Sequence, residues 1–189
     1  MRKSREEALE TRKRIVDSAA SRFRENGIDQ TALVDFMNDA GLTQGGFYKH
    51  FQSKDQLVSE ALERSFEQSF AEMAASIRGR NSTDTLAALV NEYLSPKHRD
   101  RVGEGCPLSS LGTELRRSSE ETSAITTDRL KKVITLITEQ IKGVPPEEAK
   151  RQAHGILAAM VSGLILSRLT NSANLSSAIL RDTRSFILD

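Results

Sequence analysis

Cysteine is almost absent from this chain. Cys106 is the only one among 189 residues, so no internal disulfide can form, and a reducing, cytoplasmic setting is expected. Long apolar runs are missing as well. The longest, Ile156 to Leu166, falls short of the about 20 residues a helix needs to cross a bilayer, so no membrane partner is expected. Nothing apolar follows the charged N-terminus, and no secretory leader is expected. An excess of one charge is also lacking. The 27 Lys and Arg stand against 26 Asp and Glu, a net +1, so bulk charge offers no argument for nucleic acid. Three scattered histidines and one cysteine make no metal-ligand spacing, and G-x-S-x-G, H-E-x-x-H and a phosphate loop are all absent. The chain therefore reads as a non-enzyme with no cofactor and no metal.

What is present is helix. Strand alternation, repeats and low-complexity tracts are lacking, and apolar residues recur at helical spacing from end to end. Ile15, Val16, Ala19, Ala20 and Phe23 mark a first helix, stopped by Asn26-Gly27. Leu33, Phe36, Met37 and Ala40 give a second, with Thr31 expected as its N-cap. Gly41 suits a left-handed turn. Thr43 is then expected to cap a short helix through His50 that buries Phe47 and Phe51 and turns Gln44, Gly45, Tyr48 and Lys49 outward. Ser53-Lys54-Asp55-Gln56 fits a capping box. It opens a helix of about 24 residues, roughly 36 Å at 1.5 Å each, carrying Leu57, Ala61, Leu62, Phe66, Phe70, Met73 and Ile77.

Further on, Arg78-Gly79 marks a break and Ser82-Thr83 a new cap. A helix from Leu86 to Leu94 is expected to end at Pro96, with a polar loop from Lys97 to Gly105. Pro107 suits the first turn of a helix carrying Leu108, Leu111 and Leu115. Ser118 with Glu121 reads as another capping box, leading a helix from Ile125 to Ile141. Gly143-Val144-Pro145-Pro146 is a stop followed by a start, before a long helix to Leu169 and a last one from Leu175 to Leu188. The fold class is all-α, with about nine helices.

Two short helices joined by a tight turn, then a third opening on a lysine, form the pattern of a helix-turn-helix. Residues 1–55 are expected to form that DNA-binding domain, with the motif at about 32–51, and residues 56–189 a helical regulatory and dimerisation domain. The charge distribution agrees. Arg2, Lys3, Arg5, Arg12, Lys13 and Arg14 outnumber Glu6, Glu7 and Glu10 at the N-terminus, which suits an end that meets phosphate. Lys54 adds a physical argument. A cation in the first turn opposes the positive end of the helix dipole, and a phosphate there would be stabilised by the lysine and the free N–H groups together.

The residues Thr11 to Ile15, Ala19-Ala20, Phe23, Gly41, Tyr48, His50-Phe51, Ser53-Lys54 and Leu57 resemble the TetR family of bacterial transcriptional regulators. Gly105-Cys106-Pro107-Leu108 is similar to one branch of that family, while Phe36-Met37-Asn38 departs from its usual isoleucine, alanine and polar residue. The resemblance implies an all-α homodimer. An N-terminal three-helix domain would bind a pseudo-palindromic double-stranded DNA operator, and a C-terminal domain would hold a small-molecule effector whose identity the sequence does not give. It also implies phosphate or base contacts from Thr31, Thr43, Tyr48, His50 and Lys54. Gln44 and Lys49 are candidates for reading base edges, with Gly45 and Gly46 allowing close approach.

For the effector pocket the candidates are Phe66, Phe70, Met73, Leu89, Tyr93, Cys106 and Leu111 on the middle helices. Gly155, Ala159 and Gly163 form a small-residue stripe on a helix apolar nearly all round, and with Met160, Leu164 and Ile179 they are the candidates for a dimer interface. The expected function is a ligand-released repressor. The alternative is a DNA-binding regulator controlled by Cys106 thiol chemistry or by a protein partner.

Overall fold

A computed structural model describes residues 5–80 and 85–189, and among the described residues the chain forms nine α-helices and two short 3-10 segments. In chain order these are α1 (Arg5–Asn26), α2 (Leu33–Asp39), the 3-10 segment Gln44–Lys49, α3 (Lys54–Ile77), α4 (Thr85–Tyr93) and α5 (Pro96–Asp100). The 3-10 turn Val102–Glu104, α6 (Pro107–Leu115), α7 (Glu120–Thr138), α8 (Pro146–Leu169) and α9 (Ala173–Leu188) follow. Arg2, Lys3 and the cap expected at Ser82-Thr83 lie outside the described residues.

Two compact units result. The first comprises the chain through Glu67 together with Val102–Thr126, and the second comprises Gln68–Arg101 and Thr127–Asp189. The first unit is organised by aromatic side chains. Phe23 meets Phe36 edge-on at 6.0 Å, Phe36 meets Phe47 at 6.3 Å, and Phe47 stacks on Phe51 at 5.4 Å. Leu111 and Leu115 of α6 join that core, so α6 packs with the helix-turn-helix elements rather than apart from them. Gly103 lies flush on α1, where a Cβ would collide with Ser21 and Glu25. Arg24 is buried and donates to the carbonyls of Ala20 and Gly105, both at 3.0 Å.

The turn out of α2 is as its sequence dictates. Gly41 has φ +72, with Gly41 N donating to Asn38 O and Leu42 N to Met37 O, both at 2.9 Å. This pair of bonds satisfies the last carbonyls of the helix, and only the glycine conformation permits it without strain.

In the second unit α8 and α9 pack as a hairpin, with Met160, Leu164 and Leu180 buried. Arg168 ties α8 to α5 by donating to His98 O at 2.8 Å and Arg99 O at 3.0 Å. The His98 ring lies edge-on to Tyr93, and its Nδ1 sits 2.7 Å from Tyr93 O. Burial pushes its pKa down to about 4, so the imidazole is neutral at pH 7.

Three expectations need correction. Pro96 does not end a helix but opens one, because Ser95 caps α5 by accepting from His98 N at 3.1 Å; the expected polar loop is therefore partly helical. The cap of α7 is Ser119, not Ser118, with its hydroxyl accepting from Thr122 N at 3.3 Å. Finally, α8 is not buried on every side, since Gly155, Ala158, Ser162 and Leu166 lie on an exposed face. By length and composition alone α8 would also suffice to cross a bilayer, a weak sign that core helices share.

Candidate nucleic-acid interface

The outward surface at Gln44–Lys49 is defined by what lies beneath it. Phe47 is fully buried among Phe36 and Phe51 and pins the segment to the domain. The expected short helix winds as a 3-10 helix, tighter than an α-helix, so residues three apart eclipse and Tyr48 stands over Gly45. Gln44, Gly45, Tyr48 and Lys49 are exposed, Tyr48 at 73%, while Gly46 and His50 are half-buried. Thr43 occupies the cap position in an extended conformation and makes no capping hydrogen bond. The structure thus brings Thr43, Gln44, Gly45, Gly46, Tyr48, Lys49 and His50 onto one short surface segment.

Two clamps brace the domain that carries the segment, and neither is legible in the sequence. Arg12 pairs with Glu60 of α3 through both carboxylate oxygens, donates to His50 O at 3.2 Å, and lies 4.3 Å from the centroid of the Phe51 ring. It is a brace rather than part of a free basic arm. Arg22 grips Asp39 at 2.7 and 3.0 Å, with Ser18 adding a bond at 3.1 Å, which ties α1 to α2. The Arg22 guanidinium holds the Asp39 carboxyl below the usual carboxylate range.

Two expected contact residues are placed differently. Thr31 is only 2% exposed, and its hydroxyl donates to Gly27 O at 2.6 Å. Ala32 takes the cap position instead, with Asp35 accepting from its N–H at 3.0 Å, because the Thr31 hydroxyl is taken up by a terminal carbonyl of the preceding helix turn. Lys54 is not a surplus cation. Its ammonium donates to Ile28 O at 2.9 Å and Thr31 O at 3.0 Å, so two of its three N–H groups serve the fold. Around it the capping box is half realised. Ser53 Oγ accepts from Gln56 N at 3.1 Å, but the Gln56 side chain accepts from Gln52 N at 2.8 Å, one residue early.

Comparison with known proteins agrees with this geometry. Residues 15–61 match the family model described as bacterial regulatory proteins, tetR family. The chain is 27% identical over 175 residues to the HTH-type transcriptional regulator AcrR of Shigella flexneri, covering 87% of this chain and 80% of that protein. It is equally 27% identical over 177 residues to the HTH-type transcriptional regulator TtgR of Pseudomonas putida, covering 87% and 83%. A TetR transcriptional regulator from Chloroflexus aurantiacus superposes with a TM-score of 0.81 at 26% identity, over 96% of both chains. The chain is thus similar to TetR-type transcriptional regulators over most of its length, and its helix-turn-helix region matches their family model.

The seven expected pocket residues divide between the units. Phe66, Cys106 and Leu111 belong to the first, where Phe66 and Leu111 are core. Phe70, Met73, Leu89 and Tyr93 belong to the second. Phe70 borders a cleft of about 300 Å³ that is otherwise lined by α7 residues from Asp128 to Leu136 and by Glu139 just beyond that helix. Met73, Leu89 and Tyr93 are buried packing. Cys106 is 5% exposed at the cap position of α6, and its carbonyl accepts from Ser109 Oγ at 2.8 Å. A thiol so enclosed is a small hydrophobe before it is a sensor.

The residues expected at a dimer interface also separate. Met160 and Leu164 are fully buried within the subunit. Gly163 packs on α9, where a Cβ would stand 2.8 Å from Thr183 Cγ2, so its small size serves the α8–α9 hairpin. Gly155 is exposed, and Ala159 and Ile179 are half-buried. The most exposed large apolar side chains on α8 and α9 are Leu166 at 52%, Leu169 at 75%, Leu175 at 52% and Phe186 at 81%.

Proposed function

We propose that this chain is a TetR-type regulator, a cytoplasmic homodimeric repressor that reads a pseudo-palindromic operator through Thr43–His50 and is released by a small-molecule effector. One observation carries the DNA reading: a short segment pinned by buried Phe47 leaves Gln44, Gly45, Tyr48 and Lys49 outward. Gly45 strengthens it. A Cβ there would meet nothing within 4 Å, so packing within the domain does not call for glycine, whereas close approach to a groove does. Gln44 suits adenine and Lys49 guanine, with Thr43, Tyr48 and His50 on flanking phosphates. Two copies should present this surface about one DNA turn, roughly 34 Å, apart. The uncovered Leu166, Leu169, Leu175 and Phe186 on α8 and α9 favour a second copy as the partner that buries them. In the effector role, Phe70 with its cleft is the expected pocket residue that meets open space in the structure.

Selection of duplexes from a randomised library tests the reading. The unaltered protein should enrich a two-fold symmetric site. Gln44→Ala should relax preference at particular positions of each half-site, by about 1–3 kcal/mol for each base edge the side chain no longer reads. A uniform loss over all sequences would refute base reading by Gln44.

Lys54→Ala separates two roles. If the remaining N–H meets a phosphate, the slope of log affinity against log salt should flatten by about one. Removing the bonds to Ile28 O and Thr31 O should lower stability by about 1–3 kcal/mol whether or not DNA is present. A lowered melting temperature with an unchanged salt slope would leave Lys54 a brace alone.

A further inference from the structure

We propose that Glu114 of α6 is a positioning residue for DNA binding that acts through the backbone of Ile28; this rests on reading Thr43–His50 as the DNA face. Ile28 lies in the short connection between α1 and α2. Its N–H donates to Glu114 Oε2 at 3.1 Å, and its carbonyl accepts from Lys54 Nζ at 2.9 Å. Both polar groups of one loop residue are therefore held by charged side chains, one from α6 and one from α3. Charge-assisted bonds of this kind are the stronger ones and are sensitive to geometry.

Gly27 makes the arrangement possible. It has φ +88, and a Cβ there would stand 2.8 Å from Glu114 Oε1, so the glycine serves both the left-handed turn and the approach of the carboxylate. At the other end of the connection, Lys54 Nζ donates to Thr31 O at 3.0 Å and the Thr31 hydroxyl to Gly27 O at 2.6 Å. The loop is thus closed on itself and fastened at Ile28, two residues past the end of α1 and five before α2 begins. Its conformation sets the angle at which α2, and the segment Gln44–Lys49 behind it, leave α1.

Glu114 is next to the last residue of α6, whose Leu111 and Leu115 pack in the same core. Apolar packing tolerates a small slide of α6, but a hydrogen bond does not. A displacement of α6 therefore strains the bond at Ile28, besides acting through the apolar contacts of Leu111 and Leu115. A cleft of about 390 Å³, bordered by Ile28, Asp55, Glu114, Arg117 and Thr122, gives the carboxylate room to swing away. Glu114 is the residue by which α6, far along the chain from the motif, holds the DNA-reading segment in register.

The test uses the full-length protein and a duplex that the unaltered protein selects from a randomised library. Glu114→Ala should speed hydrogen exchange at the Ile28 amide about tenfold and weaken binding about tenfold, with the salt slope unchanged because Glu114 touches no phosphate. Glu114→Gln keeps a side-chain oxygen acceptor and should restore most of both. Unaltered exchange at Ile28 and unaltered affinity in Glu114→Ala would overturn the proposal. So would weakened binding that Gln fails to rescue, or that comes with a changed salt slope. If the unaltered protein enriches no duplex, the DNA reading fails instead, and Ile28 exchange unchanged by Glu114→Ala then sinks the latch by itself.

Discussion

Phe186→Asp should turn a dimer into folded monomers and reduce operator affinity by about two to four orders of magnitude. Phe186 is 81% exposed on α9, so the subunit loses little internal packing when the ring is removed. In an assembly that covers α8 and α9 the same ring is buried, and an aspartate in its place is an unpaired charge in apolar surroundings. That costs several kcal/mol per copy, and a two-fold interface receives it twice. The loss at DNA follows from linkage, since each monomer must then find its half-site without a tethered partner. Sedimentation equilibrium gives the mass and thermal melting gives the subunit's stability. A dimer mass that persists at micromolar concentration, with unaltered affinity, would place the interface elsewhere.

Phe186 is the residue to change rather than Gly163, for a reason the sequence hides. Gly155, Ala159 and Gly163 stand four residues apart, and that spacing correctly marks a helix face that another helix can approach. It does not say which helix. Gly163 meets Thr183 of its own chain, while Gly155 is exposed. The local features were more legible. Gly27, Gly41 and Gly143 all take positive φ at the helix ends where glycine was expected, and Phe47 with Phe51 form the buried side of the outward segment. These follow from period and turn chemistry, which act over a few residues. The braces do not. Arg12 to Glu60 and Glu114 to Ile28 join residues 48 and 86 positions apart. In one sequence such partners look like any other surface charges. For the same reason Lys54 read as a cation waiting for phosphate, when the fold turns it onto two carbonyls.

Phe47→Ala should remove DNA binding on every sequence without altering any residue that faces the groove. Phe47 has no exposed surface and touches Phe36, Phe51 and Tyr48 through its ring. Truncating a buried phenylalanine costs about 3–5 kcal/mol, and here the cavity opens directly under the six-residue segment Gln44–Lys49. Because the chain divides into two compact units, the loss should fall on the first, giving a melting transition that separates from that of the second. Hydrogen exchange should accelerate over residues 33–51 and stay slow in α8 and α9. Tyr48→Ala is the matched control. Tyr48 is 73% exposed, so its removal should weaken binding while the melting temperature holds. Should Phe47→Ala melt like the unaltered protein and still bind, the segment is held by something other than its aromatic anchor, and the exposed face owes its orientation to the Arg12 brace instead.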